Sequence, residues 1–187
     1  MIVKSLEPVI DEGVRCLVLG AAPDETSARM RQYYADRYNI FWDVIAMASR
    51  FEMPLGYCDR LEYLKARGLA LWYVIEECER EGDIDSSIRN ERPNDFEWLL
   101  GALPGIKTVV FNGAKAERLY RRHFGLPSAP GTVDRHRLPF HFAWVTIPST
   151  SATPVKPMRY VKPCAERLGL GMRCVQSLVF REMATCR

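Results

Sequence analysis

The chain has no Cys-x-x-Cys pair and only three histidines, His123, His136 and His141, none at ligand spacing from the six scattered cysteines (Cys16, Cys58, Cys78, Cys164, Cys174 and Cys186). A zinc or iron–sulfur centre is therefore not expected, and the cysteines read as free thiols of a reducing compartment. Every apolar run is far shorter than a bilayer crossing. The opening stretch "MIVKSLEPVIDEG" carries acids where a secretion signal would carry apolar residues, so a cytoplasmic protein without a membrane partner is expected. Gly-x-Gly-x-x-Gly is missing, and so is Gly-Lys-Ser/Thr, which removes the usual dinucleotide and nucleotide-phosphate cradles. Internal repeats and low-complexity segments are missing too.

What is present is an ordinary globular composition: 187 residues, 48% hydrophobic and 26% charged, enough chain for a substantial core. The net charge of +3 hides an asymmetry, because residues 1–106 hold 12 Lys/Arg against 19 Asp/Glu (net −7) and residues 107–187 hold 14 against 4 (net +10). The basic residues of the second half cluster in "YRRHFG", "DRHRL" and "VKPMRYVKP". Such clustering is the footprint of a polyanion binder, although a merely basic solvated surface would read the same way.

Four short β-branched runs stand out: "VRCLVLG" (14–20), "LALWYVI" (69–75), "KTVVFNG" (107–113) and "FAWVTIP" (142–148). Helical spacing occupies 38–51, about 59–67, 94–103 and 112–124. Near-continuously apolar strands alternating with helices mean right-handed crossovers and a parallel sheet covered on both faces. The expectation is α/β: a single three-layer α/β/α domain over residues 1–187 with a four-stranded parallel sheet. The Pro- and Gly-rich stretch 125–139 reads as a surface loop, and "PSTSATPVKP" (148–157) as a rigid one. Open parallel sheets collect ligands outside the carboxyl ends of their strands. That rule singles out "GAAPDETS" (20–27), "YVIEECEREG" (73–82), "NGAKAE" (112–117) and "PSTSAT" (148–153).

The most unusual stretch is "YYADRYNIFW" (33–42), in which Tyr33, Tyr34, Tyr38, Phe41 and Trp42 surround Asn39. Tyr34, Tyr38 and Phe41 or Trp42 fall at helical spacing, with Asn39 as an N-cap or a polar flank, so a packed helix is one reading. A place where a flat molecule is held and attacked is the other. The acidic run after Trp72 and Tyr73 reads as a solvated face, whereas the hydroxyl-rich "IPSTSAT" beside a basic segment suits contact with a phosphate.

Taken in order, "VLGAAPDETS", "YYADRYNIFW", "GLALWYVIEECEREGDIDSSI", "NDFEWLL" leading to "PGIKTVVFNGAKAERLY", and "IPSTSAT" resemble the uracil-DNA glycosylase superfamily, most closely its hypoxanthine-DNA glycosylase branch. The likeness spans about residues 14 to 154. In that branch the motifs look like Gly-Ser-Phe-Pro-Gly, Tyr-Tyr-x-x-Pro-Arg-Asn-x-Phe-Trp, Leu-Trp-Asp-Val and Leu-Pro-Ser-Thr-Ser-Pro-Ala. Here Ala21-Ala22 replace Ser-Phe, Asp24 replaces Gly, Arg37-Tyr38 replace Pro-Arg, Tyr73 replaces Asp, and Ala152-Thr153 replace Pro-Ala.

The resemblance implies a monofunctional DNA glycosylase that hydrolyses the N-glycosidic bond of a deaminated base, uracil or hypoxanthine, and leaves an abasic site. Its partner would be DNA with a damaged or mismatched base, met by a monomer at the nucleoid. Asn39 would be catalytic, and Ala21, Ala22, Pro23, Tyr34, Trp72 and Tyr73 would surround the base. Pro148, Ser149, Thr150 and Ser151, with Lys156 and Arg159, would hold the DNA backbone, and a side chain near Val155 or Met158 would fill the vacated stack. None of the motif residues placed around the base is a lysine that could form a Schiff base, so neither lyase activity nor a cofactor is expected. An amide does not titrate near pH 7, so Asn39 would orient and polarise a water without deprotonating it. Two rivals remain: an enzyme acting on free nucleosides or nucleotides, and a non-catalytic nucleic-acid-binding member of the same fold.

Overall fold

The computed structural model of the protein describes residues 1–49, 52–82, 87–106, 108–125 and 141–143. Along the chain run β1 (Ile2–Lys4), β2 (Cys16–Gly20), α1 (Glu25–Met30), α2 (Phe41–Ser49), α3 (Tyr57–Lys65), β3 (Leu69–Tyr73), β4 (Ile75–Glu79), β5 (Arg89–Pro93), α4 (Phe96–Ala102), β6 (Thr108–Phe111), α5 (Ala114–Phe124) and β7 (His141–Ala143). The mixed α/β class expected from the sequence is what forms. One sheet has the order β3-β2-β6-β7, with parallel pairing at each junction.

Side chains of β2, β3 and β6 alternate between the two faces of this sheet, as the pleat requires. Leu17, Leu19, Ala70, Trp72, Val109 and Phe111 join the buried cluster that contains Phe96, Leu99 and Leu100 of α4 and Ala116, Leu119 and Tyr120 of α5. Cys16, Val18, Leu69, Leu71, Tyr73 and Val110 join the cluster that contains Phe41, Trp42 and Ile45 of α2 and Tyr63 and Leu64 of α3. Both faces are covered, which is why these strands read as continuous apolar runs.

The expectation of one sheet is corrected. Beside the parallel sheet stands a three-stranded sheet of order β1-β4-β5, antiparallel throughout. The run read as one strand over 69–75 divides at Val74, whose N–H donates to the Gly20 carbonyl at 2.8 Å, while Ile75 N–H donates to Ala21 at 3.0 Å. Beyond that bend "IEECE" is a strand, not a solvated acidic face: Ile75 and Cys78 are buried, and Glu77 meets Lys4 at 3.3 Å and Arg92 at 3.7 Å. Among the described residues no helix is long and apolar enough to cross a membrane.

Candidate active site

Two loops at the carboxyl end of the parallel sheet are tied together by one buried hydroxyl. Asp24 caps α1, accepting from Ser27 N–H at 2.6 Å and from Ser27 Oγ–H at 2.8 Å. Ser27 Oγ in turn accepts from Ala35 N–H at 3.0 Å, and the Ser27 carbonyl accepts from Gln32 N–H at 3.1 Å. The 20–24 turn is held from behind by the buried Arg80, whose guanidinium donates to the carbonyl of Pro23 at 3.1 Å and to that of Ala22 at 3.5 Å. Burying a cation is costly unless it is hydrogen-bonded, and these carbonyls supply the partners.

The aromatic stretch is not a helix before Phe41. Arg31 and Tyr34 both have left-handed backbone, with φ of 52° and 55°. Non-glycine residues adopt that conformation at a cost, and it persists where the surroundings over-determine it. Here they do so through Tyr33, whose N–H donates to Tyr57 Oη at 2.9 Å and whose carbonyl accepts from Trp42 Nε1 at 3.2 Å. Its own hydroxyl donates to Glu7 O at 3.0 Å. With Tyr33 pinned at both ends, Tyr34 is turned inward. Its ring stacks on Phe41 with centroids 3.9 Å apart and stands tilted to Tyr33 at 6.1 Å.

Tyr73, at the end of β3, lies parallel to Tyr33 with ring centroids 4.8 Å apart. A Cβ placed on Gly20 would fall 2.8 Å from two Tyr73 ring carbons and 3.0 Å from the Tyr34 hydroxyl, so only glycine fits under this aromatic group. Burial pushes the phenols of Tyr33 and Tyr73 well above the ordinary tyrosine value, with neighbouring tyrosines adding to the shift. Both are therefore neutral hydroxyls across the physiological range. Asn94, itself buried, fixes the main chain here by donating to the Tyr73 carbonyl at 2.9 Å.

Asn39 sits just ahead of α2, and its Oδ1 accepts from Phe41 N–H at 3.0 Å, a local turn of the kind that starts helices. That bond orients the carboxamide and leaves one oxygen lone pair and both N–H groups for other partners. The group lines an open cleft of about 730 Å³. Tyr34, Trp42, Asp36, Arg37, Asp43 and Arg60 stand on the same walls. At the rim the Arg37 guanidinium lies 4.4 Å from the centre of the Tyr38 ring and donates to its hydroxyl. Tyr38 is 59% exposed, so it belongs to this surface pair and not to a buried helical stripe.

The sequence expectations thus divide. Asn39 and Tyr34 come together in the cleft, Tyr73 stands behind Tyr34 at 6.3 Å between ring centroids, and Ala21, Ala22 and Pro23 form the turn beyond Gly20. Trp72 is a correction: it is on the opposite face of the sheet, packed against Phe96 at 5.3 Å and Trp98 at 6.2 Å. Successive strand residues point to opposite faces, so Trp72 and Tyr73 cannot serve one pocket. Pro148, Ser149, Thr150, Ser151, Lys156 and Arg159 lie outside the described residues, as do Val155 and Met158. Sequence reasoning missed Ser27, Arg80 and Asn94, whose roles rest on long-range bonds with no local signature. No group of three or more His, Cys, Asp or Glu able to hold a metal occurs among the described residues.

Comparison with known proteins adds independent findings. No family model matches the chain. It is 38% identical over 114 residues to a hypoxanthine DNA glycosylase of Methanosarcina barkeri, covering 60% of this chain and 72% of that protein. A hypoxanthine DNA glycosylase of Methanosarcina acetivorans is 36% identical over 117 residues, 62% of this chain and 74% of that one. The solution structure of a Methanosarcina acetivorans protein provisionally named a uracil DNA glycosylase superposes with a TM-score of 0.69 at 26% identity, covering 97% of this chain and 99% of that one.

Proposed function

This chain belongs to the hypoxanthine DNA glycosylases of the uracil-DNA glycosylase superfamily, and on that footing we propose that it hydrolyses the N-glycosidic bond of a deaminated base extruded from DNA. The base is uracil or hypoxanthine, and the product is an abasic site. The observation that carries this reading is the meeting of Asn39, with a backbone-oriented carboxamide, and Tyr34, on a strained backbone, in one cleft.

In the proposed reaction the free lone pair of Asn39 Oδ1 accepts from a water and aims its oxygen at the sugar carbon. The carbon–nitrogen bond breaks as the carbon–oxygen bond forms. The water's proton leaves through the cleft, where Asp36 and Asp43 stand on the wall. The base departs as an anion delocalised over its lactam and is then reprotonated on nitrogen. Donors near the base, from the Tyr73 hydroxyl and the backbone N–H groups of Ala21 and Ala22, stabilise that charge in a dry site, where each hydrogen bond counts for more than in water. Extrusion costs a few kcal/mol, least at mismatched or damaged pairs. Stacking on an aromatic recovers ~1–3 kcal/mol per base, which is the part assigned to Tyr34.

Pro148, Ser149, Thr150 and Ser151 hold the DNA backbone, with Lys156 and Arg159 neutralising phosphates. The enzyme acts as a cytoplasmic monomer without a cofactor. The test is to incubate the full chain with duplex and single-stranded oligonucleotides carrying one uracil, hypoxanthine, xanthine or thymine mismatch, then to cut abasic products with alkali. Strand cleavage at uracil or hypoxanthine is the expected result. Cleavage at none of the four sites would sink the reading.

A further inference from the structure

A strand between two parallel partners bonds to them by turns. β2 keeps to this up to its end: the Leu19 carbonyl accepts from Asn112 N–H at 2.8 Å, on the β6 side, and the Gly20 carbonyl accepts from Val74 N–H at 2.8 Å, on the β3 side. After Gly20 the alternation stops. The Ala21 carbonyl, due on the β6 side, accepts instead from Ile75 N–H at 3.0 Å. The next two carbonyls turn the same way, onto one guanidinium: Arg80 Nη1 donates to Ala22 at 3.5 Å and to Pro23 at 3.1 Å.

Among the described residues no peptide bond is cis, so each N–H points opposite to the carbonyl before it. Carbonyls of Gly20, Ala21 and Pro23 drawn toward β3 and β4 therefore turn the N–H groups of Ala21, Ala22 and Asp24 toward β6. That is also where the order β3-β2-β6-β7 reverses, since the chain steps from β2 to β3 on one side and on to β6 and β7 on the other. Open parallel sheets bind ligands at such a switch point, and neighbouring N–H groups facing one place make a concavity for an anion. Arg80 itself is firmly seated. It is 3% exposed, and its main chain extends the β1–β4 ladder, donating to the Met1 carbonyl at 2.8 Å. Its Nε donates to the Gly82 carbonyl at 2.9 Å while Nη1 serves the turn, so two edges of a planar fork are fixed at once.

We propose that Arg80 is a positioning residue for departure of the base: by holding the Ala22 and Pro23 carbonyls back, it keeps the N–H groups of the turn, that of Asp24 most directly, aimed at the anion that forms as the glycosidic bond breaks. This deepens the glycosylase reading and rests on it. Arg80 lies behind the turn and acts through the peptides it pins. Without its donors the carbonyl of Pro23, a buried residue, loses its partner, and the peptide between Pro23 and Asp24 is free to turn over. A turned peptide presents an oxygen to the developing negative charge where an N–H had been. The charge is absent until the bond breaks, so the loss falls on the transition state and spares the bound substrate. It falls hardest on a base that leaves poorly, because such a base depends most on help with its charge.

The test is single-turnover cleavage by the full chain of duplexes carrying one uracil or one 5-fluorouracil, and one hypoxanthine or one 8-azahypoxanthine. In each pair the second ring is the more electron-withdrawing and leaves more readily. Arg80→Met, similar in length and without donors, is expected to cleave the uracil and hypoxanthine sites about 100-fold more slowly, the scale for losing one donor to a developing charge. The loss on the better-leaving partner of each pair is expected to be several-fold smaller. Arg80→Lys keeps a cation and a donor for one carbonyl but not the fork, and should lie between with the same dependence on leaving group; it carries the comparison if Arg80→Met does not fold. Wild-type rates in the variants overturn the proposal. So does an equal loss on both members of a pair, which would make Arg80 a merely structural residue. If the wild-type chain cleaves none of the four sites, the glycosylase reading fails together with the proposal; if it cleaves them and the variants show no leaving-group dependence, the proposal alone fails.

Discussion

On one face of the parallel sheet, Trp72 meets Phe96 at 5.3 Å, Phe96 meets Tyr120 and Phe124 edge-on at 5.2 and 5.0 Å, and α4 and α5 close over Leu17, Leu19 and Phe111. On the other face the same strands present Tyr73 and Asn112, with bare polar atoms, beside Tyr34 on left-handed backbone. The first face is ordinary core, in which offset and edge-on rings gain packing beyond their area. The second carries features that cost stability, and it is the face that meets the cleft with Asn39. A bare hydroxyl, a bare amide and strained backbone on one face are features that cluster at functional sites and not in ordinary core.

The largest effect that would break this contrast is on stability. Trp72→Ala removes an indole from the first face and is expected to cost about 3–5 kcal/mol, the range for a buried aromatic truncated to alanine. Turnover per folded molecule should stay at the wild-type level, as checked by urea unfolding and by cleavage well below the midpoint. Lost turnover with unchanged stability would return Trp72 to the site. Next comes Asn39, which serves both the helix start and the cleft. Asn39→Ala should reduce turnover by about 10²–10³-fold, the range for losing a group that acts on charge in the transition state. It should also cost about 1 kcal/mol of stability through the lost bond to Phe41 N–H, roughly 2–4 °C in Tm. Asn39→Ser keeps an acceptor for that N–H and should recover the Tm without the turnover. Near-normal turnover in either variant would mean that the catalytic residue is elsewhere.

The smallest effect is shared by both faces. Burial raises the phenol pKa of Tyr33 and Tyr73 well above 10 and pushes Tyr120, on the first face, up to about 12. The folded chain then holds protons that the unfolded chain releases above about pH 10, so stability falls as pH rises through that value and onward toward 12. Tyr120 alone should account for about 1.4 kcal/mol between pH 8 and pH 11, one pKa unit's worth. Urea midpoints of Tyr120→Phe should therefore decline less steeply over that interval than those of the wild type. An identical decline would remove the phenol from the account.

How much of this could be read from the sequence follows from what each strand buries. "VRCLVLG", "LALWYVI" and "KTVVFNG" were legible because a strand covered on both faces is apolar throughout. The same continuity conceals the period of two, so nothing in the run itself opposed the resemblance, which set Trp72 beside Tyr73 around the base. The strands "IEECE" and "RNERP" were not legible, since charges dominate them and their partners lie far along the chain. Asn39 was read in two ways, as a helix-start residue and as a catalytic one, and its bond to Phe41 N–H makes those readings compatible. Asn112 falls in "NGAKAE", one of the four segments singled out after a strand, but nothing local marks its side chain as buried and without a partner among the described residues.

The tight fit over Gly20 has a consequence for how such a site can diverge. Any Cβ at position 20 collides with the Tyr73 ring, so residue 73 must shrink before residue 20 can grow. A lineage passing between tyrosine and a carboxylate at 73 keeps glycine at 20 until the ring is gone, and the two positions drift in a fixed order. Covariation of these two columns among related chains is the trace this leaves; free variation at 20 alongside a constant Tyr73 would contradict it.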